Sequence, residues 1–170
     1  MCRDGAGRRR TAWAKRRASR SPNPVPRPAA RPRTPHSACV PPSVRPRLRP
    51  PCEVCGENVK VLPAGRVRYP DVTVACGAFD PAADSVEPAV AFEIQSPTTE
   101  LTDRRVKPAE YAAIPSVRAY VMLAQDRPHA TMLRRAANRL PETVEGAGAV
   151  LELPEIGVAI PLDELFAIPV

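Results

Sequence analysis

The sequence predicts an α/β or α+β fold built on a mixed central sheet, and three observations carry that reading. Short apolar runs rich in β-branched residues recur beyond residue 70, spaced by turn-forming clusters. Two of these runs are almost continuously apolar, as strands covered on both faces are. A single segment between them has helical spacing, so the order reads strand, strand, strand, helix, strand, strand.

Taken in order, Asn58–Pro63 alternates weakly, and Val67–Ala75 is a β-branched run interrupted by Pro70. A proline inside a strand marks an edge, a bulge or a start, so the regular part is expected from Asp71. Gly77–Pro88 is a turn-rich acidic connection. Ala89–Gln95 (AVAFEIQ) is the first fully buried strand, and Ser96–Thr102 a polar loop. Asp103–Ile114 is expected to be a helix, with Asp103 as N-cap and Pro108 near its first turn. Arg118–Ala124 and Ala130–Arg135 read as a hairpin about Asp126–Pro128. Val150–Leu153 and Val158–Ile160 flank a turn at Pro154–Gly157, and a short helix, Leu162–Phe166, ends the pattern.

The chain has 170 residues, with 25 Lys/Arg against 18 Asp/Glu. Those charges are divided unequally. Residues 1–50 hold 14 Lys/Arg, one acid (Asp4) and 10 of the 23 prolines, whereas the remainder holds 11 Lys/Arg against 17 acids. Proline removes amide donors and fixes φ, so Arg16–Pro51 is expected to hold neither helix nor central strand and to be disordered or polyproline-like, within a disordered segment 1–51. That segment reads as a nucleic-acid arm, as a passive tail, or as translation from another start or frame. The part that folds, 52–170, is acidic, so the overall positive charge is poor evidence for DNA binding. No apolar stretch approaches the roughly 18 residues of a membrane-spanning helix, and no apolar signal segment follows the basic start.

Two carboxylates interrupt the apolar strands. Asp71 heads the VTVA run and Glu93 lies inside AVAFEIQ. A charged group there costs several kcal/mol unless a cation compensates it. Alternation places Glu93 and Gln95 on one face and Phe92 and Ile94 on the other. If the two strands pair, Asp71, Glu93 and the Gln95 amide can converge, an all-oxygen set suited to Mg²⁺ or Mn²⁺. On the helix, Lys107, Tyr111 and Ile114 share one face, which turns the Lys107 ammonium towards the acids. Structural salt bridges are the competing explanation of the same residues.

Arg66–Val74 (RVRYPDVTV), Ala91–Leu123 (AFEIQSPTTELTDRRVKPAEYAAIPSVRAYVML) and Leu153–Phe166 (LPEIGVAIPLDELF) together resemble the Uma-type restriction endonuclease family (the DUF820 group) of the PD-(D/E)xK nuclease superfamily. The resemblance covers about residues 52–168. It implies a restriction-endonuclease-like sheet with a flanking helix. It also implies Mg²⁺- or Mn²⁺-dependent hydrolysis of DNA by a metal-activated water. Asp71 and Glu93 would be metal ligands, joined by the main-chain carbonyl of Ile94. Lys107 would replace the strand lysine whose place Gln95 takes, with Gln95 and Tyr111 in support. The family's opening helix and strands would precede Cys52, where the Arg/Pro segment stands instead, so the N-terminal helical part is expected to be missing. DNA is the expected substrate, the cytoplasm the expected location, and a homodimer remains open because many nucleases of this fold pair.

Other features point elsewhere. Cys52 and Cys55 form one CxxC, but zinc wants a second pair, so reduced cysteines are expected. Arg104–Arg105 and Arg134–Arg135 could touch phosphates or form surface charge pairs. Ser96 lacks a Gly-rich elbow and a histidine base, and reads as a loop residue. An inactive copy of the same fold, acting as a binding module, is the alternative to a nuclease.

Overall fold

The β-branched runs pair into a six-stranded mixed sheet in the order β1–β2–β3–β4–β5–β6. Its strands are β1 (Cys52–Cys55), β2 (Val72–Cys76), β3 (Pro88–Gln95), β4 (Ala119–Ala124), β5 (His129–Arg134) and β6 (Pro141–Glu145). The computed structural model describes residues 35–55, 59–77, 85–96 and 100–166, apart from the side chains of 35–38, 64 and 100–103. These residues fall within one unit, Pro32–Val170. Every neighbouring pair is antiparallel except β3–β4. That parallel pair is joined by α2 (Glu100–Ala113), a crossover helix of the kind a parallel step requires. A second, two-stranded sheet pairs β7 (Val150–Leu153) with β8 (Val158–Pro161). Gly157, at φ +66°, closes the turn between them in a conformation glycine adopts without strain.

Both faces of the large sheet are covered at β3 and β4. One face packs Val72, Val74, Val90, Phe92, Val121 and Leu123 against β7, β8 and the 3₁₀ turn Leu162–Leu165. The other packs Ala91, Tyr120 and Met122 against Tyr111 of α2 and Ile114 just past its end. This double cover is why the Ala89–Gln95 run is apolar with almost no alternation.

The expectation that no helix persists between residues 16 and 51 fails for part of that stretch. Pro35–Val44 forms a helix, α1, with Pro41 and Pro42 inside it. Val40 and Val44, one turn apart, are fully buried in the core, and α1 packs on β2, β3, β8 and the Leu162–Leu165 turn. Each fully buried valine contributes roughly 1.5 kcal/mol or more, enough to offset part of the proline penalty. Arg47 fastens the segment by bonding Glu164 (2.9 Å) and the Ser43 carbonyl (2.6 Å). Helical cover therefore stands in front of Cys52, where none was expected. The expectation for residues 1–34 and the tip of the Gly77–Pro88 connection lie outside the described residues; Asp103, expected as the N-cap, is instead the fourth residue of α2, whose first is Glu100.

Three further differences have local reasons. The helix starts at Glu100, within the expected loop, with Pro108 in its interior. The edge strands β1 and β6 carry weak signals: β1 is four residues long, and β6 (PETVE) begins with proline and is half exposed. The cysteines are not all reduced. Cys52 and Cys76 lie opposite each other in the β1–β2 register and are disulfide-bonded, while Cys55 keeps its thiol. Cys52 and Cys55, three apart on a strand, point to opposite faces and cannot ligate one ion together.

Arg134, the first of one arginine pair, is buried and ties β5 to its neighbours. It bonds Glu142 of β6 (2.9 Å), Glu155 in the β7–β8 turn (2.7 Å) and the Glu152 carbonyl. Arg135 donates to the Ala112 and Ile114 carbonyls at the end of α2, complementing the negative pole of the helix. Among the described residues no helix is long and apolar enough to cross a membrane.

Candidate active site

Asp71 directly follows Pro70 and precedes β2. Because Val72 pairs with Phe92 in antiparallel register, Asp71 falls opposite Glu93. Its Oδ2 accepts a hydrogen bond from the Ile94 amide at 2.8 Å, which joins the head of β2 to the far end of β3. Glu93 itself is 4% exposed. Its Oε1 accepts from the Tyr111 hydroxyl (2.8 Å) and its Oε2 from Lys107 Nζ (3.0 Å). The helical spacing of Lys107, Tyr111 and Ile114 thus turns all three onto the sheet. Tyr111 is held by stacking on Tyr120 of β4, with ring centroids 4.6 Å apart.

Burial dominates the electrostatics of this cluster. It pushes the Glu93 carboxyl up to about 7; Lys107 opposes the rise, and the Asp71 charge adds to it. The same burial, with Glu93 alongside, raises the Tyr111 hydroxyl, which stays protonated and donates. Two carboxyl groups, Glu93 buried and Asp71 half-buried, thus share this corner with the Lys107 ammonium.

The residues singled out from sequence are distributed as follows. Asp71, Glu93, Lys107 and Tyr111 come together. The Ile94 amide belongs to the same corner through its bond to Asp71. Gln95 shares the Glu93 face, but its Nε2 donates to Met122 Sδ (3.2 Å) across the sheet, not to the acids. Sequence reading missed a second layer beneath the site. Arg68 bonds both oxygens of Glu110 (2.6 and 2.9 Å), and Arg66 bonds one at 3.1 Å. Arg68 also lies within electrostatic reach of Tyr111 and Glu93. The signal was present as alternating Arg66 and Arg68 beside a glutamate adjacent to Tyr111, but only the docking of α2 joins them.

Glu110 is held below the usual carboxylate range, chiefly by its hydrogen bonds from Arg68. A carboxyl depressed in the folded state stabilises above its unfolded value of 4.5, and that stability is lost as pH falls through the folded value. Glu110→Gln should therefore cost about 1 kcal/mol at pH 7, limited because both arginines reach water, and almost nothing near pH 3. Urea titrations at the two pH values check this.

A family model described as Uma2, "Putative restriction endonuclease", matches residues 42–163. The chain belongs to the Uma2 family. No curated protein matches it. Among solved structures, it is similar to one described as "a putative nuclease belonging to DUF820" from Anabaena variabilis. That similarity has a TM-score of 0.60 at 16% identity and covers 79% of this chain and 82% of the other. At that identity the likeness speaks for the fold: a restriction-endonuclease-like α+β fold. The Uma2 match begins at residue 42, inside α1.

Nucleases of this fold class generally use divalent ions, so the donor set must be tested against one. Two carboxylates and a main-chain oxygen are hard ligands of the type Mg²⁺ and Mn²⁺ take. Burial raises Glu93 first and the Asp71 charge adds to it, and a divalent ion would offset both. The chemistry fits, although no group of three or more His, Cys, Asp or Glu forms among the described residues.

Proposed function

We propose that this Uma2-family chain is a metal-dependent endonuclease that hydrolyses DNA phosphodiester bonds. The observation that carries the reading is the meeting of Lys107 with the buried Glu93 carboxyl, opposite Asp71. The Uma2 description and the nuclease-like fold support it.

In this reading Asp71, Glu93 and the Ile94 carbonyl would hold Mg²⁺ or Mn²⁺. When bound, the ion would neutralise phosphate charge and lower the pKa of a water. The protein's own groups do the rest. Tyr111 fixes the Glu93 carboxylate by donating to one oxygen, leaving Lys107 to pair with the other. Lys107 supplies a positive charge that can shift to a phosphate oxygen as charge builds up there, a gain made larger by the low local dielectric. Asp71, tied to the Ile94 amide, keeps the ends of β2 and β3 in fixed relation.

The test is nicking of supercoiled plasmid by the purified protein with Mg²⁺ or Mn²⁺, and none in EDTA. Lys107→Met should lower the rate about 100-fold without loss of fold. A folded wild-type protein that never nicks, at any concentration of either metal, defeats the proposal. One observation favours a second reading, a non-catalytic binding protein of the same fold: both Glu93 oxygens already have protein partners. The same assay separates the two.

A further inference from the structure

Across much of the fold, cations are answered by acids: Arg47, Arg66, Arg68, Lys107 and Arg134 each pair with a glutamate. Past the C-terminal end of α2 that pattern breaks. Arg135 donates from Nε to the Val117 carbonyl (3.1 Å) and from Nη2 to those of Ala112 and Ile114. Arg139 donates from Nη2 to the same Val117 oxygen (2.7 Å) and from Nη1 to the Leu133 carbonyl. Two guanidiniums therefore stand side by side on one carbonyl oxygen. Among the described residues, neither meets a carboxylate. Burial and the Arg135 charge push the Arg139 guanidinium down from its ordinary value, with no acid to offset them. A third arginine, Arg118, is exposed beside Val117, and its carbonyl accepts the Arg135 amide proton at 2.7 Å.

Capping of carbonyls accounts for one of these arginines and not for two. Arg135 alone serves the end of α2, whose pole supplies roughly half a negative charge against two full positive ones. Arg139 reaches the Val117 carbonyl from the turn between β5 and β6, where Asn138 and Arg139 have φ of +53° and +60°. A hairpin turn with two successive residues at positive φ favours Asn followed by Gly, because a Cβ is strained there. Arginine occupies the glycine's place. The turn thus holds backbone strain while it sets a second positive charge against the first, and such strain collects at functional positions. Each guanidinium has five N–H donors, and the Nη1 of Arg135 and the Nε of Arg139 take no part in these bonds.

We propose that Arg135 and Arg139, with Arg118 at the rim, bind a phosphate group, carried on a nucleic-acid backbone or free. Two adjacent planar forks with unused donors suit a tetrahedral oxyanion, whose oxygens accept from both and whose charge removes their mutual repulsion. A neutral ligand would leave that repulsion in place. The site is separate from the Asp71–Glu93 corner. The Arg118 amide bonds the Ala89 carbonyl near the start of β3, about 13 Å along that strand from Glu93. The inference therefore stands whether or not the corner cuts DNA.

The experiment follows the melting temperature of the full chain as sodium phosphate is added, against sodium chloride of equal ionic strength. Phosphate in large excess should raise the wild-type midpoint by about 3 °C over the chloride control. Arg139→Gln keeps a donor for the Val117 carbonyl but loses the charge, and should lose that rise. Arg139→Lys, which keeps the charge, should retain most of it, and Arg118→Gln, at an exposed position, should weaken it. Each protein is read against its own chloride baseline, so the general stabilising effect of phosphate, common to all, cancels. Binding of a fluorescein-labelled DNA duplex in EDTA, across a salt series, separates the two sources. A log–log salt slope flattened by about 0.9 in Arg139→Gln assigns the phosphate to a nucleic-acid backbone. An unchanged slope, with the phosphate-induced rise lost, assigns it to a free phosphate. A rise that survives Arg139→Gln, or Arg118→Gln where the former does not fold, overturns the site, as does a wild-type protein with neither a rise nor an arginine-dependent slope.

Discussion

Asp71→Asn should abolish nicking, by about 1,000-fold or more, in a protein that folds like the parent. Asparagine has the same shape, and its Oδ1 can accept the Ile94 amide proton as Asp71 Oδ2 does now, so the link between β2 and β3 survives. What disappears is the negative charge opposite Glu93. Without it the corner holds one carboxylate already paired with Lys107, a set with little net attraction for a divalent ion. Circular dichroism and a urea midpoint unchanged from wild type would confirm the fold, and plasmid nicking would read the loss. An Asn variant as active as its parent would remove Asp71 from the chemistry.

The second large effect concerns stability and runs against the usual carboxylate trend. Glu93 is pushed up to about 7 from 4.5, so between those values the folded state holds a proton that the unfolded state has released. Stability therefore falls as pH rises from 4.5 to 7 and levels off above. The penalty at pH 8 is about 3 kcal/mol, on the order of 1.4 kcal/mol per unit of pKa. Glu93→Gln carries no charge to desolvate, and its amide can still exchange bonds with Lys107 and Tyr111. In EDTA the variant should be more stable than wild type by up to about 3 kcal/mol at pH 8 and nearly equal to it at pH 4. Adding Mg²⁺ should close the pH 8 gap by stabilising wild type alone. A variant that loses stability at pH 8 would mean that Lys107 and Tyr111 fully compensate the charge, leaving no electrostatic need for an ion. Glu110, one residue from Tyr111, titrates in the opposite sense, so Glu93→Gln isolates a trend the whole protein would blur.

Much of the architecture is legible in sequence because it follows from local rules. β3 and β4 are doubly covered, which demands continuous apolar runs, and Ala89–Gln95 and Arg118–Ala124 have them. Alternation assigned Glu93 and Phe92 to opposite faces, and helical spacing put Lys107, Tyr111 and Ile114 on one. The Pro70–Asp71 step marked where β2 begins. The elements that escaped are those whose stability comes from elsewhere in the fold. α1 contains two prolines and persists because Val40 and Val44 fill the core beneath β2 and β3. β1 and β6 are edge strands, short and one-sided, defined by what they pair with. The Cys52–Cys76 bond needs the β1–β2 register, which no count of cysteines reveals.

By itself the sequence determined which residues could do chemistry and which way each would point along its own strand or helix, since those follow from periods of 2.0 and 3.6 residues. Only the tertiary structure decided which of them meet. The antiparallel register of β2 on β3 sets Asp71 opposite Glu93, the crossover of α2 lowers Lys107 onto that pair, and the pairing of β5 with β6 closes Glu145 on His129. These are contacts between residues 14 to 23 positions apart, fixed by register and docking rather than by any local preference.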